Sequence, residues 1–266
     1  MKTNKKNKKA GVNSVDIFDL ERDDFICTDE IRGKIPPFSQ LLPYTVLWEG
    51  SDAQEAYQQY LAYQEAGEQE GFTPVFLADD SEYFLRESVF YAREEQAFSP
   101  SEIVKTLEKA EKFPIDHFFS YSFARLALKW REIRKEHKCR LYRSNRLTSG
   151  FGSCSFVLLK VPTSRSWELP AYLPFCQNYG ETELDQLVSI LKAWKQRYGV
   201  QLLCVHFDMV QMIFDKERMT DELYHNFARE LFCVQPHMVS DYYLNFDNLV
   251  YNLKHGEQPV FLFYWS

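Results

Sequence analysis

Five residues in the second half of this chain have side chains that could take part in catalysis. They are Cys154, His206, Asp208, Glu222 and His225. Glu222 and His225 have the i, i+3 spacing that places both on one helix face, as in di-iron bundles. Those bundles need a second such pair, which this sequence lacks. A mononuclear metal site that adds His206 and Asp208 is therefore the metal-dependent alternative.

Each of these residues also has a simpler structural interpretation, which we favour. Glu222 near a helix N-terminus suits the helix dipole. The six cysteines are dispersed without a CxxC pair, which argues against a zinc ribbon and favours buried structural thiols. Cys154 beside a glycine-containing loop could pair with a histidine as a nucleophile, but no GxSxG elbow or phosphate-binding loop supports an enzyme. The sequence thus predicts no bound metal and no cofactor.

A basic stripe follows the middle of the chain. It consists of Arg131, Arg134, Lys135, Lys138, Arg140, Arg143 and Arg146. This charge density is typical of a phosphate-binding surface, and nucleic-acid binding is one hypothesis for it. Aromatic residues are sparse there and the formal charge of the chain is −7. We therefore favour a solvated helix face, or an intramolecular partner for the acidic body, over nucleic acid.

Composition predicts a cytoplasmic protein with one sizeable core. The chain is 45% hydrophobic, contains no long apolar run, and begins with lysines that no apolar signal segment follows. Residues 1–15 are predicted to be a disordered basic tail, residues 16–42 an irregular extension, and residues 43–266 a single α/β body. The sequence leaves the oligomeric state open.

The first half of the body predicts a β-α-β unit followed by helices. Apolar runs at 44–48 and 74–78 predict strands that pair in parallel, and the helix between them begins at a Ser51 capping box and ends at Gly67. Helices follow over about 81–96, from Ser99 up to a stop at Pro114, and over about 116–137. These three helices form an insertion before the next strand.

The second half predicts alternating strands and helices. Strands are expected over 156–161, 200–207, 209–214 and 260–265, with a hairpin about Asp208. A helix capped by Thr182 should end at Gly199, and others should cover 220–232 and 246–254. The fold class is therefore α/β (α+β mixed), with a mixed β-sheet flanked by helices.

The order of features in this half resembles a bacterial family, the domain-of-unknown-function family 4253. The residues that carry the resemblance are Val161-Pro162, Ser164, Trp167, Trp194-x-x-x-Tyr198-Gly199, Phe207-Asp208, Ala228-x-Glu230, Pro236-x-x-Val239 and Phe263-Tyr264-Trp265. The resemblance is clearest over 161–265 and extends weakly back to about Leu41. It implies a fold and no reaction.

The chain departs from the family pattern where chemistry would be sought. Gln235 and His237 replace the Cys and Asp of a Cys-Pro-Asp-x-Val segment, and Ser266 replaces a terminal aspartate. These departures favour a non-catalytic cytoplasmic module that binds another protein, for example an immunity protein against a basic toxin. A hydrolase or metal-dependent enzyme using His206, Asp208, Glu222 and His225 is the alternative.

Overall fold

The computed structural model describes residues 35–79, 84–94, 98–133, 139, 154–173, 183–206, 209–237, 243, 245–256 and 259–264. The disordered tail predicted for residues 1–15 lies outside these residues. One compact unit extends from Pro36 to the C-terminus, so the body begins within the segment predicted to be irregular. A short helix starts after Pro37 there, because Phe38 and Leu41, three positions apart, are both buried.

The described elements follow one another in a largely alternating order. In chain order they are α1 (Phe38–Leu41), β1 (Thr45–Gly50), α2 (Ala53–Glu70), β2 (Thr73–Asp79), α3 (Phe84–Glu94), α4 (Pro100–Ala110), α5 (Ile115–Ile133), β3 (Ser155–Val161), α6 (Leu169–Tyr172), α7 (Leu184–Tyr198), β4 (Gln201–Val205), β5 (Met209–Ile213), α8 (Asp221–Val234), α9 (Phe246–His255) and β6 (Val260–Tyr264). Short 3-10 helices cover Ser166–Glu168 and Lys216–Arg218.

The strands form one mixed sheet in the order β1-β3-β2-β4-β5-β6. Only β2 and β4 pair in parallel among these neighbours; the other pairings are antiparallel. The predicted α/β class and the hairpin between β4 and β5 are thus confirmed. The helical insertion is also present, because α3, α4 and α5 lie between β2 and β3 in the chain.

The predicted direct pairing of β1 with β2 is wrong, because β3 lies between them and pairs with both. The two strands still run in the same direction, since each is antiparallel to β3. A strand inside a sheet needs side chains that can be buried on both faces. Phe156, Leu158 and Leu159 of β3 meet that requirement, but local pattern does not show which distant strand enters a β-α-β unit.

Helices cover both faces of the sheet. Phe76 of β2 packs with Tyr60 of α2 in one apolar cluster, whereas Val75 and Leu77 point to the opposite face and are also buried. On that second face, Phe227 of α8 contacts the rings of Phe214 and Phe261. The helical insertion joins this side through α4, whose Ala110 packs on Val188 of α7.

Several helix ends differ from the predictions. The side chain of Asp52, rather than Ser51, caps α2 by accepting hydrogen bonds from the backbone N–H groups of Gln54 and Glu55 at 2.9 and 2.8 Å. A carboxylate next to the first helical residue reaches those donors directly. The helix continues through Gly67 to Glu70, because the left-handed residue that ends it is Gly71.

Ser99 caps the N-terminus of α4 as predicted, because its hydroxyl accepts a hydrogen bond from the Glu102 N–H. That helix ends at Ala110 rather than at Pro114, which instead precedes the first residue of α5. Residue 182 lies outside the described residues, and Glu183 stands at the N-cap of α7 without a side-chain cap. None of the described helices is long and apolar enough to cross a membrane.

The predicted role of Gly199 as the end of α7 is confirmed. Its φ is +71°, and its N–H donates to the carbonyl of Lys195 at 3.1 Å. A Cβ at this position would lie 2.5 Å from the Cβ of Asp215. The glycine therefore allows both the left-handed turn and the close approach of the chain that follows β5.

Gly199→Ala should lower the free energy of unfolding more than Gly71→Ala does. Both glycines are left-handed, and an alanine there costs about 1–2 kcal/mol. At Gly71 nothing lies within 4 Å of the added Cβ, whereas the clash with Asp215 should add about 1–3 kcal/mol at Gly199. Urea unfolding of the two variants measures the difference; equal losses would contradict the proposed contact.

Candidate functional site

The sheet topology brings Cys154 and His206 to one edge. β2 and β4 are parallel neighbours and end at this edge, with Asp79 closing β2 and His206 following β4. β3 runs the other way, so Cys154 immediately precedes it at the same edge. Ligands of open α/β sheets commonly bind outside the carboxyl ends of parallel strands. Asp208 lies outside the described residues.

Burial separates Cys154 and His206 from solvent. Cys154 is 3% exposed and packs in the apolar cluster that contains Ala78, Phe156 and Cys204. His206 is 8% exposed. In this same cluster, burial raises the pKa of the neighbouring Cys204 thiol, which therefore stays protonated at neutral pH. A nucleophilic cysteine needs thiolate character and access. The packing of Cys154 is that of a small core residue.

Glu222 and His225 are exposed and lie in the first turns of α8, which follows the other end of β5. The topology therefore does not bring them to the edge where His206 lies. The His225 ring contacts Phe246 at a centroid distance of 5.8 Å. Within the described part of the chain, no group of three or more His, Cys, Asp or Glu side chains could hold a metal ion.

The side chains of the basic stripe lie outside the described residues. Arg131 lies in the last turn of α5, but its side chain and residues 134–138, 140, 143 and 146 lie outside the described residues. Binding of phosphate or nucleic acid through the stripe stays a prediction.

The resemblance residues Trp194, Tyr198 and Glu230 meet in one buried cluster between α7 and α8. Trp194 donates its indole N–H to a Glu230 carboxylate oxygen at 3.0 Å, and the Tyr198 hydroxyl also hydrogen-bonds this carboxylate. Trp194 and Tyr198 are one helical turn apart, so both point at α8. Arg197 of the same helix completes the cluster with an Nη1–Oε1 distance of 2.6 Å to Glu230.

Arg197 also reaches the insertion, where its Nη2 lies 2.5 Å from a carboxylate oxygen of Asp116 in α5. One guanidinium thus ties three helices together. The side chain of Glu230 is 14% exposed, whereas that of Asp116 is 85% exposed. The inner ion pair should therefore contribute more to stability than the outer one, which water and salt screen.

The inner pair contains a desolvated carboxylate. Burial raises the pKa of the Glu230 carboxyl, against the opposing effects of Arg197 and of the hydrogen bonds from Tyr198 and Trp194. Burial also works against the charged guanidinium, but Glu230 and Asp116 raise the pKa of Arg197. Such a pair is costly to break and contributes modest net stability when intact. Its arrangement fixes the packing of α7 against α8 and α5.

Two surface features were not predicted from the sequence. The first is a cleft of about 190 Å³ where the last turn of α7 meets the chain that follows β5. Its lining residues are Lys195, Gly199, Gln201, Ile213, Phe214, Asp215 and Arg218. The left-handed Gly199 was a signal for a turn here, but no local pattern indicated that Lys195 and Arg218 would face the same space.

The second is the exposed face of α2, hereafter the α2 face, formed by Gln54, Gln58, Leu61, Glu65 and Glu68. The helix carries four glutamates and no lysine or arginine. Leu61 is 40% exposed. Because Glu65 and Glu68 are three positions apart, their like charges repel one another. Helical periodicity in the sequence could have identified this acidic side.

Arg197→Met should lower the free energy of unfolding by about 2 kcal/mol, because it leaves the Glu230 carboxylate buried without its cation. Lys192→Met is the matched control on the same helix: its partner, Glu111, is 62% exposed, and the loss should be below about 0.5 kcal/mol. Adding Glu230→Gln to Arg197→Met should recover about half of the loss. Denaturant unfolding of the three variants measures these differences.

The effect of Arg197→Met should also depend on pH. Without the guanidinium, the folded-state pKa of Glu230 rises further above its unfolded value, so the folded protein binds this proton more tightly. The stability deficit should therefore be complete above the folded-state pKa and disappear as the pH falls through it. A deficit that does not change with pH would contradict the assignment to Glu230.

Comparison with known proteins finds one family. No curated protein and no solved structure matches the chain. A family model described as "Domain of unknown function (DUF4253)" matches residues 157–266, which contain β4, β5 and β6 and most of β3. The C-terminal part of the chain is thus similar to the DUF4253 family, as the resemblance predicted.

Proposed function

We propose that this protein is a non-catalytic cytoplasmic module that binds a basic partner protein through the α2 face. The observation that carries the proposal is the excess of negative charge on that helix. Neither Glu65 nor Glu68 has an ion-pair partner within 4 Å among the described residues, although both are exposed and Glu68 interacts electrostatically with Lys195 of α7. Lysine or arginine side chains of a partner would relieve the repulsion between these two carboxylates.

The shape of the α2 face also supports binding. Leu61 provides an apolar centre on a regular helix, with glutamine and glutamate side chains around it. Protein interfaces commonly combine an apolar centre with a polar rim. The backbone of α2 is fixed by the packing of Ala56 and Tyr60 against the sheet, so little conformational entropy would be lost on binding.

An immunity protein that binds a basic toxin is one concrete form of this proposal. Charge complementarity would then speed association and suppress binding to acidic proteins. The departures at Gln235, His237 and Ser266 from the family pattern are consistent with a role that needs no reaction.

The enzyme hypothesis has less support from the described residues. Cys154 and His206 are buried, whereas Glu222 and His225 are exposed at the start of α8. A metal-dependent mechanism through His206, Asp208, Glu222 and His225 would require these side chains to share one site.

Charge reversal on α2 tests the proposal. Glu65→Lys with Glu68→Lys should weaken binding of the partner at least about tenfold, because two attractive charge pairs become repulsive. Glu102→Lys with Glu108→Lys on α4 makes the same change in net charge on another helix and is the matched control. Partners are isolated on the wild-type protein, identified by mass spectrometry, purified, and titrated calorimetrically against each variant.

The salt dependence of the association rate gives a second readout. The rate for the wild-type protein should fall as ionic strength rises, and the rate for the α2 variant should rise or stay unchanged. Failure to recover any partner, or equal affinity of both double variants, would contradict the proposal.

A further inference from the structure

β1 forms one edge of the sheet. It pairs with β3 on one side, and no strand among the described residues pairs with it on the other. The main-chain N–H and C=O groups on that outer side can therefore bind another extended chain. Thr45 and Glu49 of β1 are exposed and its other residues are half-buried, whereas Val75 and Phe76 of β2, inside the sheet, are buried. The edge is thus accessible.

β1 lacks the side chains that usually protect such an edge. Lysine or proline in an edge strand discourages pairing with another chain, and β1 contains neither. Its pairing with β3 is irregular between Val46 and Trp48 but continuous from Trp48 to Gly50. At the irregularity, the carbonyl oxygen of Leu47 accepts a hydrogen bond from the Tyr63 hydroxyl at 3.4 Å. A further strand is therefore expected to pair along Trp48 to Gly50.

Trp48 borders this edge on the side where α2 lies. Its ring contacts Phe76 edge-to-face at a centroid distance of 6.0 Å, and its indole N–H donates to Glu55 of α2 at 3.2 Å. Gly50 leaves room for the ring, because a Cβ there would lie 2.4 Å from the indole. A strand added to β1 would therefore place one side chain across from Trp48, within reach of Glu55.

The chain around β1 is acidic. Residues 36–79, which contain β1, α2 and β2, include no lysine, arginine or histidine. The acidic residues of this segment are Glu49, Asp52, Glu55, Glu65, Glu68, Glu70 and Asp79. Pairing of β1 with β1 of a second copy would bring two such segments together, and their charges would repel one another. The charge therefore favours an added strand with basic side chains.

Cations from other elements lie near the far end of α2 rather than beside this edge. Lys160 and Lys195 interact with glutamates of the last turn of α2. Glu49 and Glu55 have no lysine or arginine within 4 Å in the described part of the chain. Successive strand residues point to opposite faces, so Glu49 lies on the face opposite Trp48. An added strand would thus meet a glutamate on each of its faces.

We propose that the β1 edge binds an extended basic segment of the partner protein as an additional strand. This inference rests on the proposed function and names the form in which the partner is recognised. Main-chain hydrogen bonds to β1 would supply affinity, and lysine or arginine side chains that approach Glu49 and Glu55 would supply specificity. Because α2 lies beside this edge, one partner can contact both the edge and the α2 face.

Two synthetic peptides of equal charge test the inference on the full-length protein. The probe is a decapeptide of alternating lysine and valine. The control decapeptide alternates lysine and proline, so every second residue lacks the N–H that strand pairing needs. Calorimetric titration should show that the lysine-valine peptide binds at least about tenfold more tightly, as expected for the gain of main-chain hydrogen bonds. Its binding should also slow the hydrogen exchange of the β1 amides.

Charge reversal beside the edge provides the matched variants. Glu49→Lys with Glu55→Lys should weaken binding of the lysine-valine peptide at least about tenfold, because two attractive pairs become repulsive. Glu102→Lys with Glu108→Lys on α4 makes the same change in net charge and should leave the affinity unchanged. Glu49→Lys alone should still weaken binding if the double variant does not fold, because the exposed Glu49 side chain makes no ion pair within 4 Å among the described residues.

The outcomes distinguish this inference from the proposed function. Absence of saturable binding, equal affinity for the two peptides, or unchanged exchange of the β1 amides would overturn the edge site, even if the partner still binds the α2 face. Peptide binding at β1 supports the edge site even if no partner depends on Glu65 and Glu68, a result that would contradict only the proposed function. Slower exchange of β1 at higher protein concentration without peptide would show pairing between two copies and would also overturn the inference.

Discussion

The parallel pairing of β2 with β4 joins the two halves of the sheet. Phe76 lies opposite Cys204 and Leu77 opposite Val205 across this junction, and all four side chains are buried. β1, β3 and β2 lie on one side of the junction, and β4, β5 and β6 lie on the other. The hydrogen-bonded continuity of the sheet therefore depends on these few central residues.

This junction extends the folding unit beyond the residues that match the family. Residues 157–266 supply most of β3 and all of β4, but these two strands do not pair with each other. β2, which precedes the matched region, enters between them. A sheet built only from the matched residues would leave the edges of β3 and β4 unpaired, which is unfavourable for a buried strand.

The network around Arg197 plays the corresponding role among the helices. Glu230 fixes α8 against α7, and Asp116 adds α5 from the insertion. Trp194 and Tyr198, two of the residues that carry the family resemblance, hydrogen-bond this carboxylate. The acidic residues of the α2 face lie outside this network.

The sequence by itself determined the local elements. Apolar periodicity located β3, β5, α7 and α8, and the glycine at 199 marked a helix end, because these signals depend on neighbouring residues. Its errors at Ser51 and Gly67 arose where two nearby residues could each serve as a cap or a stop, and the structure uses Asp52 and the left-handed Gly71 instead.

Only the tertiary structure decided which elements become neighbours. The entry of β3 between β1 and β2, the burial of Cys154 and His206, and the separation of His206 from Glu222 all depend on strand order. The meeting of Lys195 with Arg218 depends on how the chain after β5 returns to α7. Strand order is set by the burial of apolar side chains over long sequence separations, and local periodicity does not encode it.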